Sequence, residues 1–175
     1  MQNELQELLD KQAIYEVLAR YCRGADRCDE ALIRSVYHED SYDNHGYWQG
    51  SGSEFASFVT NRLTEANLAT THSITNVLVD VDGDTAWSES QVVATLIRRG
   101  TPTRADTMGA RYLDRLSRRN GEWKIEERTV VLDWNKSEVL DHENTPIPIH
   151  GFTRGARHPE DPVYKLKQGL KCSSD

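Results

Sequence analysis

The sequence is short of cysteine, of basic residues and of long apolar runs. Its three cysteines lack regular spacing, which argues against a disulfide framework and predicts a cytoplasmic protein in a reducing compartment. No run approaches the ~18 apolar residues of a membrane span, and the N-terminus lacks the pattern of a signal peptide. The net charge of −7 argues against a nucleic-acid partner, because phosphate binding needs a basic surface. We therefore expect neither nucleic acid nor a membrane as a partner.

The composition that remains is that of one globular domain. The 175 residues are 37% hydrophobic and include four tryptophans and seven tyrosines, enough for a single core of ordinary size. Residues 136–175 hold four of the five prolines and no sustained periodicity. We expect a domain over residues 1–135 and a C-terminal arm over residues 136–175. Residues 140–165, with Pro146 and Pro148, are predicted to reach onto a neighbouring subunit, and the last residues, from Lys171, to be frayed.

Helical periodicity dominates the first third of the chain. Apolar residues recur at three- and four-residue steps over residues 4–23, and Gly24 predicts the end of this helix. A short second helix is predicted over residues 30–37 and a third over residues 54–65, after turn and capping signals at residues 49–53. The stretch from His38 to Trp48, rich in ionisable and aromatic side chains, is predicted to be a loop.

From Thr70 the hydrophobic period changes to two. Three turn signals, Asp82-Gly83, Gly100-Thr101-Pro102 and Asn120-Gly121, divide residues 70–134 into four long antiparallel strands. Flat strands of this length would be too long for a small domain, so they must curl and bulge, with one bulge expected near Glu127. The fold class is therefore α+β, a curved antiparallel sheet around N-terminal helices that leaves a tapered cavity for a small ligand.

The corner between the first two helices carries a carboxylate without an evident structural duty. Asp29 can cap the second helix, which leaves Asp26 spare. Alternatively, Asp26 is itself the cap or pairs with Arg23 or Arg27. Asp26 is therefore a candidate for chemistry, with a structural role as the open alternative.

Two residues of the predicted sheet could carry charge into the cavity. Arg128 lies where the last strand turns its apolar face inward, so its guanidinium needs an anion, either a core carboxylate or a substrate. His72 lies at the start of the first long strand, where alternation does not decide which face is buried. A histidine taken alone is more often structural than catalytic.

Several motifs together resemble SnoaL-like proteins of the nuclear-transport-factor-2-like superfamily. The resemblance covers residues 5–134, and its relatives include scytalone dehydratase, the bile-acid dehydratase, a dehydrochlorinase and ketosteroid isomerase. It rests on Arg20-Tyr21-Cys22-Arg23-Gly24-Ala25-Asp26-Arg27-Cys28-Asp29, Tyr42-Asp43-Asn44-His45-Gly46, Thr71-His72, Asp80-Val81-Asp82-Gly83-Asp84-Thr85-Ala86 and Gly121-Glu122-Trp123-Lys124-Ile125. The resemblance implies a cone-shaped α+β barrel, a fold that hosts many reactions.

The same resemblance implies roles for four residues. Asp26 matches an aspartate that orients a catalytic histidine, and His72 matches that histidine, which removes a carbon-bound proton. Tyr21 matches a polar helper five residues before the aspartate, and Arg128 matches an arginine of the last strand. Such chemistry needs neither a nucleophile nor a cofactor, because a neutral imidazole is a base near pH 7 and a tyrosine or arginine can stabilise the negative charge.

Further residues are candidates for the walls of the substrate pocket. They are Tyr42, His45, Trp48, Asp106, Met108 and Tyr112. His38, Asp40, Asp43 and His45 could in principle hold a metal, but their loose spacing is a weak signal, so no metal site is expected.

The sequence thus predicts a cofactor-independent lyase or isomerase, dehydratase-like, acting on a small apolar carbonyl compound of steroid, aromatic or polyketide type. The alternative is a non-catalytic ligand-binding protein or an assembly subunit like the small subunit of ring-hydroxylating dioxygenases. The distance from the Asp26 carboxylate to the His72 ring discriminates between them. A homo-dimer or homo-trimer is expected through the outer face of the sheet, around Thr71, Thr75, Trp87, Glu89 and Gln91.

Overall fold

The computed structural model describes residues 2–141 and 151–171. Pro146, Pro148 and residues 172–175 lie outside the described residues, and so do the expectations about them. The elements are α1 (Gln2–Arg27), α2 (Glu30–Ser35), β1 (Tyr37–Asn44), β2 (Gln49–Ser51), α3 (Gly52–Ala66), β3 (Asn67–Asp82), β4 (Thr85–Arg98), β5 (Arg104–Arg119), β6 (Glu122–Val139) and α4 (Pro162–Lys171). None of the helices described is long and apolar enough to cross a membrane.

One curved sheet forms the body of the fold. Its strand order is β2-β1-β6-β5-β4-β3, and β3 to β6 pair antiparallel in succession. The predicted α+β class and the four-strand meander are therefore confirmed. The sheet stays open, and α1, α2 and α3 bury their apolar faces against it in a single core.

The loop predicted over residues 38–48 is wrong, because most of it forms β1. β1 runs parallel to β6 and antiparallel to β2. The buried positions of β1 include Ser41 and Asp43, so its inward face is polar and its outward face carries Tyr42. Apolar alternation, the usual sequence signal of a strand, is therefore missing.

Bulges let the long strands curl, as the sequence predicts. In β3 the register shifts between Thr75 and Leu78, and Asn76 takes a left-handed backbone conformation with φ of 47°. In β6 the register shifts between the partners of Arg115 and Leu116, which leaves Glu126 as the extra residue. This second bulge is one residue from the position predicted at Glu127, and it turns Arg128 into the core.

Gly24 does not end the first helix, which runs on to Arg27. A Cβ atom at Gly24 would lie 2.7 Å from Cγ1 of Ile33, so this glycine permits the close approach of α2 to α1. The extra helical residues place Asp26 on the last turn of α1. The predicted cap of α2 is confirmed, because the Asp29 carboxylate accepts the Leu32 N–H at 3.0 Å.

The described part of the C-terminal arm contacts its own chain. Arg157 donates from Nη1 to the Asp26 carbonyl at 2.6 Å and to Thr70 Oγ1 at 2.9 Å. Tyr164 donates its hydroxyl to the Asp29 carboxylate at 2.8 Å. The arm thus holds the α1–α2 corner from outside. Its reach onto a neighbouring subunit stays a prediction.

We expect Gly52→Ala to lower the free energy of unfolding by about 1–3 kcal/mol, since an added Cβ overpacks the core. That atom would lie 2.4 Å from the Tyr37 ring and 2.6 Å from Ser41 Oγ, and both residues are buried. Urea unfolding measures the change. Gly155→Ala is the matched control, because a Cβ there meets its nearest atom at 3.6 Å. Equal stability of the two variants would contradict this close packing around Gly52.

Candidate active site

A small cavity of about 290 Å³ lies between the helices and the concave face of the sheet. This volume is near the lower end of the range for ligand pockets, ~300–1,000 Å³. Its apolar wall comprises Ala25, Val59, Leu63, Val92, Ala94, Leu96, Met108, Ala110, Val130 and Leu132. Its polar side chains are two imidazoles and three phenols, those of His45, His72, Tyr21, Tyr47 and Tyr112. The cavity suits a small, largely apolar molecule with few polar atoms.

His72 lines this cavity, and Asp26 hydrogen-bonds to His72 from the last turn of α1. Asp26 Oδ1 lies 2.7 Å from His72 Nδ1, and Asp26 Oδ2 accepts the backbone N–H of His72 at 2.9 Å. A carboxylate only accepts hydrogen bonds, so Nδ1 carries the ring proton and Nε2 is the free nitrogen of a neutral imidazole. The pair therefore has the arrangement of an oriented base.

A second pair of Asp and His lies at the same cavity. His45 Nδ1 hydrogen-bonds to Asp43 Oδ1, and its Nε2 lies 3.1 Å from the Tyr21 hydroxyl. Asp43 is fully buried and accepts a further bond from Tyr37 at 2.6 Å. Burial lowers the pKa of His45, while Asp43 opposes that shift. The sequence predicts His45 in the pocket wall but does not reveal Asp43 as its partner.

Arg128 lies behind the cavity wall rather than in it. Its side chain is fully buried and forms two hydrogen bonds of 2.7 Å with the Asp114 carboxylate. Its Cζ stands 4.2 Å from the ring centroids of both Tyr21 and Tyr112. Of the two anions that the sequence allows for Arg128, the structure contains the core carboxylate. Asp114 shares the buried face of β5 with Tyr112 and Leu116.

Burial dominates the acid–base behaviour of the tyrosines next to Arg128. The pKa values of Tyr21 and Tyr112 are raised well above the ordinary value, chiefly by burial, and Arg128 partly opposes both shifts. Both phenols therefore stay protonated, and Tyr21 can act as a hydrogen-bond donor or pass a proton on. Arg128 Nη1 has no hydrogen-bond partner in the part of the chain described. Apart from Asp114, the guanidinium is therefore stabilised by its cation–π contacts with the Tyr21 and Tyr112 rings.

Three of the six predicted pocket residues, His45, Met108 and Tyr112, line the cavity. Tyr42 is wrong as a lining residue, because β1 turns it outward, where its hydroxyl donates to Gln49 at 3.0 Å. Trp48 is not in the lining either, since it packs on Phe55 and Phe58, with ring centroids 5.1 Å and 5.9 Å away.

Asp106 lies in a more open cleft of about 480 Å³ next to the cavity, which Met108 and Tyr47 also line. There Arg98 donates to the Asp106 carboxylate at 2.5 Å, which neutralises it. Asp106 therefore belongs to the approach to the cavity and not to its wall.

The residues weighed as metal ligands do not converge. His38 binds the Ser117 carbonyl at 3.0 Å, and Asp40 pairs with Arg119 at 2.7 Å. His45 and Asp43 pair with each other instead. Within residues 2–141 and 151–171, no group of three or more His, Cys, Asp or Glu side chains is placed to hold an ion.

Comparison with known proteins adds a family and a fold. The sequence profile of the SnoaL-like domain matches residues 6–129. A type 2 hexachlorocyclohexane dehydrochlorinase is similar at 21% identity and a TM-score of 0.72, over 82% of this chain and 98% of that chain. A type 3 enzyme of that name from Novosphingobium barchaimii is similar at 20% identity and a TM-score of 0.72, over 82% of this chain and 99% of that chain. A candidate scytalone dehydratase from Novosphingobium aromaticivorans is similar at 19% identity and a TM-score of 0.68, over 81% of this chain and 94% of that chain.

A search of curated proteins finds no match. At these identities the structural likeness shows the fold alone, because one fold can host many functions.

Proposed function

The chain belongs to the SnoaL-like domain family of the nuclear-transport-factor-2-like superfamily, and from this premise we propose that it is a cofactor-independent lyase or isomerase. One observation carries the proposal. Asp26 Oδ1 lies 2.7 Å from His72 Nδ1, and His72 lines a largely apolar cavity. A base with a fixed tautomer beside an apolar pocket is what removal of a carbon-bound proton requires.

In the proposed reaction, His72 Nε2 takes a proton from a carbon next to a carbonyl group. Asp26 holds the imidazole in the required tautomer and stabilises the imidazolium that forms. The electron pair left on carbon moves toward the carbonyl oxygen, and a hydroxyl group of the cavity lining can stabilise the negative charge. Arg128, which contacts the Tyr21 ring, acts through that phenol as a positioning residue.

The proposed substrate is a small apolar carbonyl compound. The similar structures include a dehydrochlorinase and a candidate scytalone dehydratase, and both names denote enzymes that catalyse an elimination. The cavity of about 290 Å³ favours aromatic or polyketide-type molecules over a four-ring steroid. The non-catalytic alternative predicts a filled cavity or a dyad beyond hydrogen-bond reach, and the volume and the 2.7 Å contact weigh against it.

Exchange of carbon-bound protons tests the proposal even while the natural substrate is unidentified. The wild-type protein is incubated in D₂O with a panel of small cyclic enones and hydroxy-ketones, and proton NMR follows loss of the signals next to the carbonyl. We expect exchange above the buffer rate for members of the panel that fit the cavity, and none with His72→Ala. Equal exchange by both proteins would overturn the proposal.

We also propose that the protein is a homo-dimer or homo-trimer in the cytoplasm. Trp87 and Leu78 are more than half exposed on the outer face of the sheet, and Leu113 lies beside them. An apolar patch of this kind fits burial against a second copy of the chain. Light scattering at micromolar concentration measures the mass, and a monomer would contradict this part of the proposal.

A further inference from the structure

The Asp43–His45–Tyr21 chain has no part in removing a carbon-bound proton. Its members come from separate elements, Asp43 from β1, His45 from the turn after it and Tyr21 from α1. His45 and Tyr21 line the cavity that His72 also lines, and Asp43 hydrogen-bonds to His45. Asp43 and Tyr21 are buried, and Phe55 stacks on the His45 ring at 4.0 Å. Buried polar chains of this kind cost free energy unless every member is paired, and here hydrogen bonds pair all three side chains.

The hydrogen bonds define where the protons of the chain lie. Asp43 accepts from His45 and from Tyr37, so His45 Nδ1 always carries a proton. When His45 is neutral, its Nε2 accepts the Tyr21 hydroxyl proton. When His45 is protonated, Nε2 donates to the Tyr21 oxygen instead, and the Tyr21 O–H is free to point into the cavity. Protonation of His45 therefore converts Tyr21 from a group whose proton is held away into a donor.

We propose that Asp43, His45 and Tyr21 deliver a proton to an oxygen atom of a substrate held in the cavity that His72 also lines, and that the substrate is a hydroxylated carbonyl compound. The inference rests on the proposed function of His72. His72 Nε2 takes the carbon-bound proton, the electron pair forms the C=C bond, and the C–O bond breaks. The hydroxyl leaves as water with the Tyr21 proton, and Tyr21 takes the Nε2 proton of His45. One proton then returns from His72 to His45 through solvent.

The surroundings of His45 suit an acid. Burial is the main cause that lowers its pKa, Asp43 opposes it, and the charges of Arg128 and His72 lower it further. A lowered pKa makes the His45 imidazolium a stronger acid. Repulsion between two imidazoliums favours the state in which only one of the two histidines, His45 or His72, is protonated. The groups that face His45 from the packed elements are Tyr21 of α1, Asp43 of β1, Tyr47 beside it, Phe55 of α3, His72 of β3, Tyr112 of β5 and Arg128 of β6.

The leaving group follows from this assignment. A hydroxyl group is a poor leaving group unless it is protonated, whereas chloride departs as a stable anion. An acid on the side of the departing group therefore favours loss of water over loss of halide. This narrows the substrate class from carbonyl compounds in general to hydroxy-carbonyl compounds.

Two probes that differ only in the leaving group test the inference. 3-Hydroxycyclohexanone and 3-chlorocyclohexanone both give cyclohexenone, whose absorbance measures turnover above the buffer rate. We expect His45→Gln and Tyr21→Phe to lower kcat on the hydroxyl probe by about 10²-fold or more, the usual scale of a general acid. On the chloride probe the loss should stay within a few-fold. On the hydroxyl probe, kcat should fall with rising pH as His45 loses its proton, with a midpoint below the ordinary histidine pKa of ~6.5. This fall should vanish in His45→Gln.

The controls separate this inference from the proposed function. His38→Gln alters a histidine of β1 that binds a carbonyl outside the cavity, and Tyr42→Phe removes an outward hydroxyl. Both should leave the rates unchanged. Equal losses on the two probes in His45→Gln would overturn the inference, since they indicate a structural role. If His72→Ala keeps its activity, the proposed function fails, while the ratio of the two probes in His45→Gln still judges the inference.

Nitrogen NMR of the histidine rings provides a test that needs no substrate. Neutral His45 should be the Nδ1–H tautomer, and its Nε2 resonance should shift in Tyr21→Phe but not in Tyr42→Phe. A neutral His45 protonated at Nε2 would overturn the inference, because the chain to Tyr21 would then run in the wrong direction.

Discussion

Replacement of His72 by alanine is expected to lower turnover by about 10²–10⁴-fold, the scale that a general base contributes. The reason is geometric, because Asp26 holds this imidazole in the tautomer that leaves Nε2 unprotonated. The loss should appear in kcat and in the exchange of carbon-bound protons, with the folded structure retained by circular dichroism. Full activity in this variant would end the dyad hypothesis, and the base would have to be sought at His45.

Asp26→Asn should be nearly as damaging, for a reason that the two hydrogen bonds make specific. The carboxylate accepts both the backbone N–H and the Nδ1–H of His72, at 2.9 Å and 2.7 Å. An amide has one acceptor oxygen, so its NH₂ group must face one of these donors. If the NH₂ group faces the ring, it favours the Nε2–H tautomer of His72, in which Nε2 has no lone pair to accept the carbon-bound proton. Asp40→Asn, on an exposed aspartate paired with Arg119, is the matched control.

Residues that act as a unit lose activity non-additively. The double variant His72→Ala/Asp26→Asn should therefore be little worse than the worse single variant. Losses that multiply would instead mean that Asp26 contributes independently of His72, for example by fixing the end of α1 through its contacts with β3.

The pairing of Asp26 with His72 shows how far the sequence can lead. The two residues are 46 positions apart, and a family resemblance suggests their pairing. Signals within a few neighbouring residues are less reliable predictors at the same corner between α1 and α2. Gly24 predicts a helix end because glycine favours the position after the last turn, yet it serves the approach of Ile33. A glycine chosen for close packing and one chosen for its backbone freedom look the same in a single sequence.

The two acidic residues that the sequence does not reveal share one physical cause. Asp43 and Asp114 are buried carboxylates on strands, and periodicity assigns charged residues to the solvent face. Each is buried only because other side chains satisfy it, His45 and Tyr37 for Asp43 and Arg128 for Asp114. Tyr37 lies on β1 itself, His45 in the turn after β1 and Arg128 on another strand, and hydrophobic alternation does not indicate which polar side chains will pair. The predicted inward turn of Arg128 is the nearest hint, since it requires an anion.

Arg128→Met should lower the free energy of unfolding by about 3–5 kcal/mol, because it leaves the Asp114 carboxylate buried without its partner. Both side chains are fully buried, and two hydrogen bonds of 2.7 Å join them. Urea unfolding measures the loss. Arg111→Met is the matched control, since Arg111 pairs with Asp133 at 3.3 Å on the exposed face, where an ion pair contributes about 0–1 kcal/mol. Similar losses in the two variants would contradict the role given to the buried pair.

The double variant Arg128→Met/Asp114→Leu separates stability from catalysis. Removing both charges should recover much of the stability, because a buried ion pair is often no better than apolar side chains of similar size. Turnover measured on that stable protein then reports on Arg128 alone. If the guanidinium acts on the reaction through the Tyr21 ring, 4.2 Å away, kcat should stay low although the fold is restored. If its role is only to neutralise Asp114, kcat should recover together with stability. We expect the first result, because no apolar side chain replaces the positive charge that opposes the rise of the Tyr21 pKa and so favours transfer of its proton.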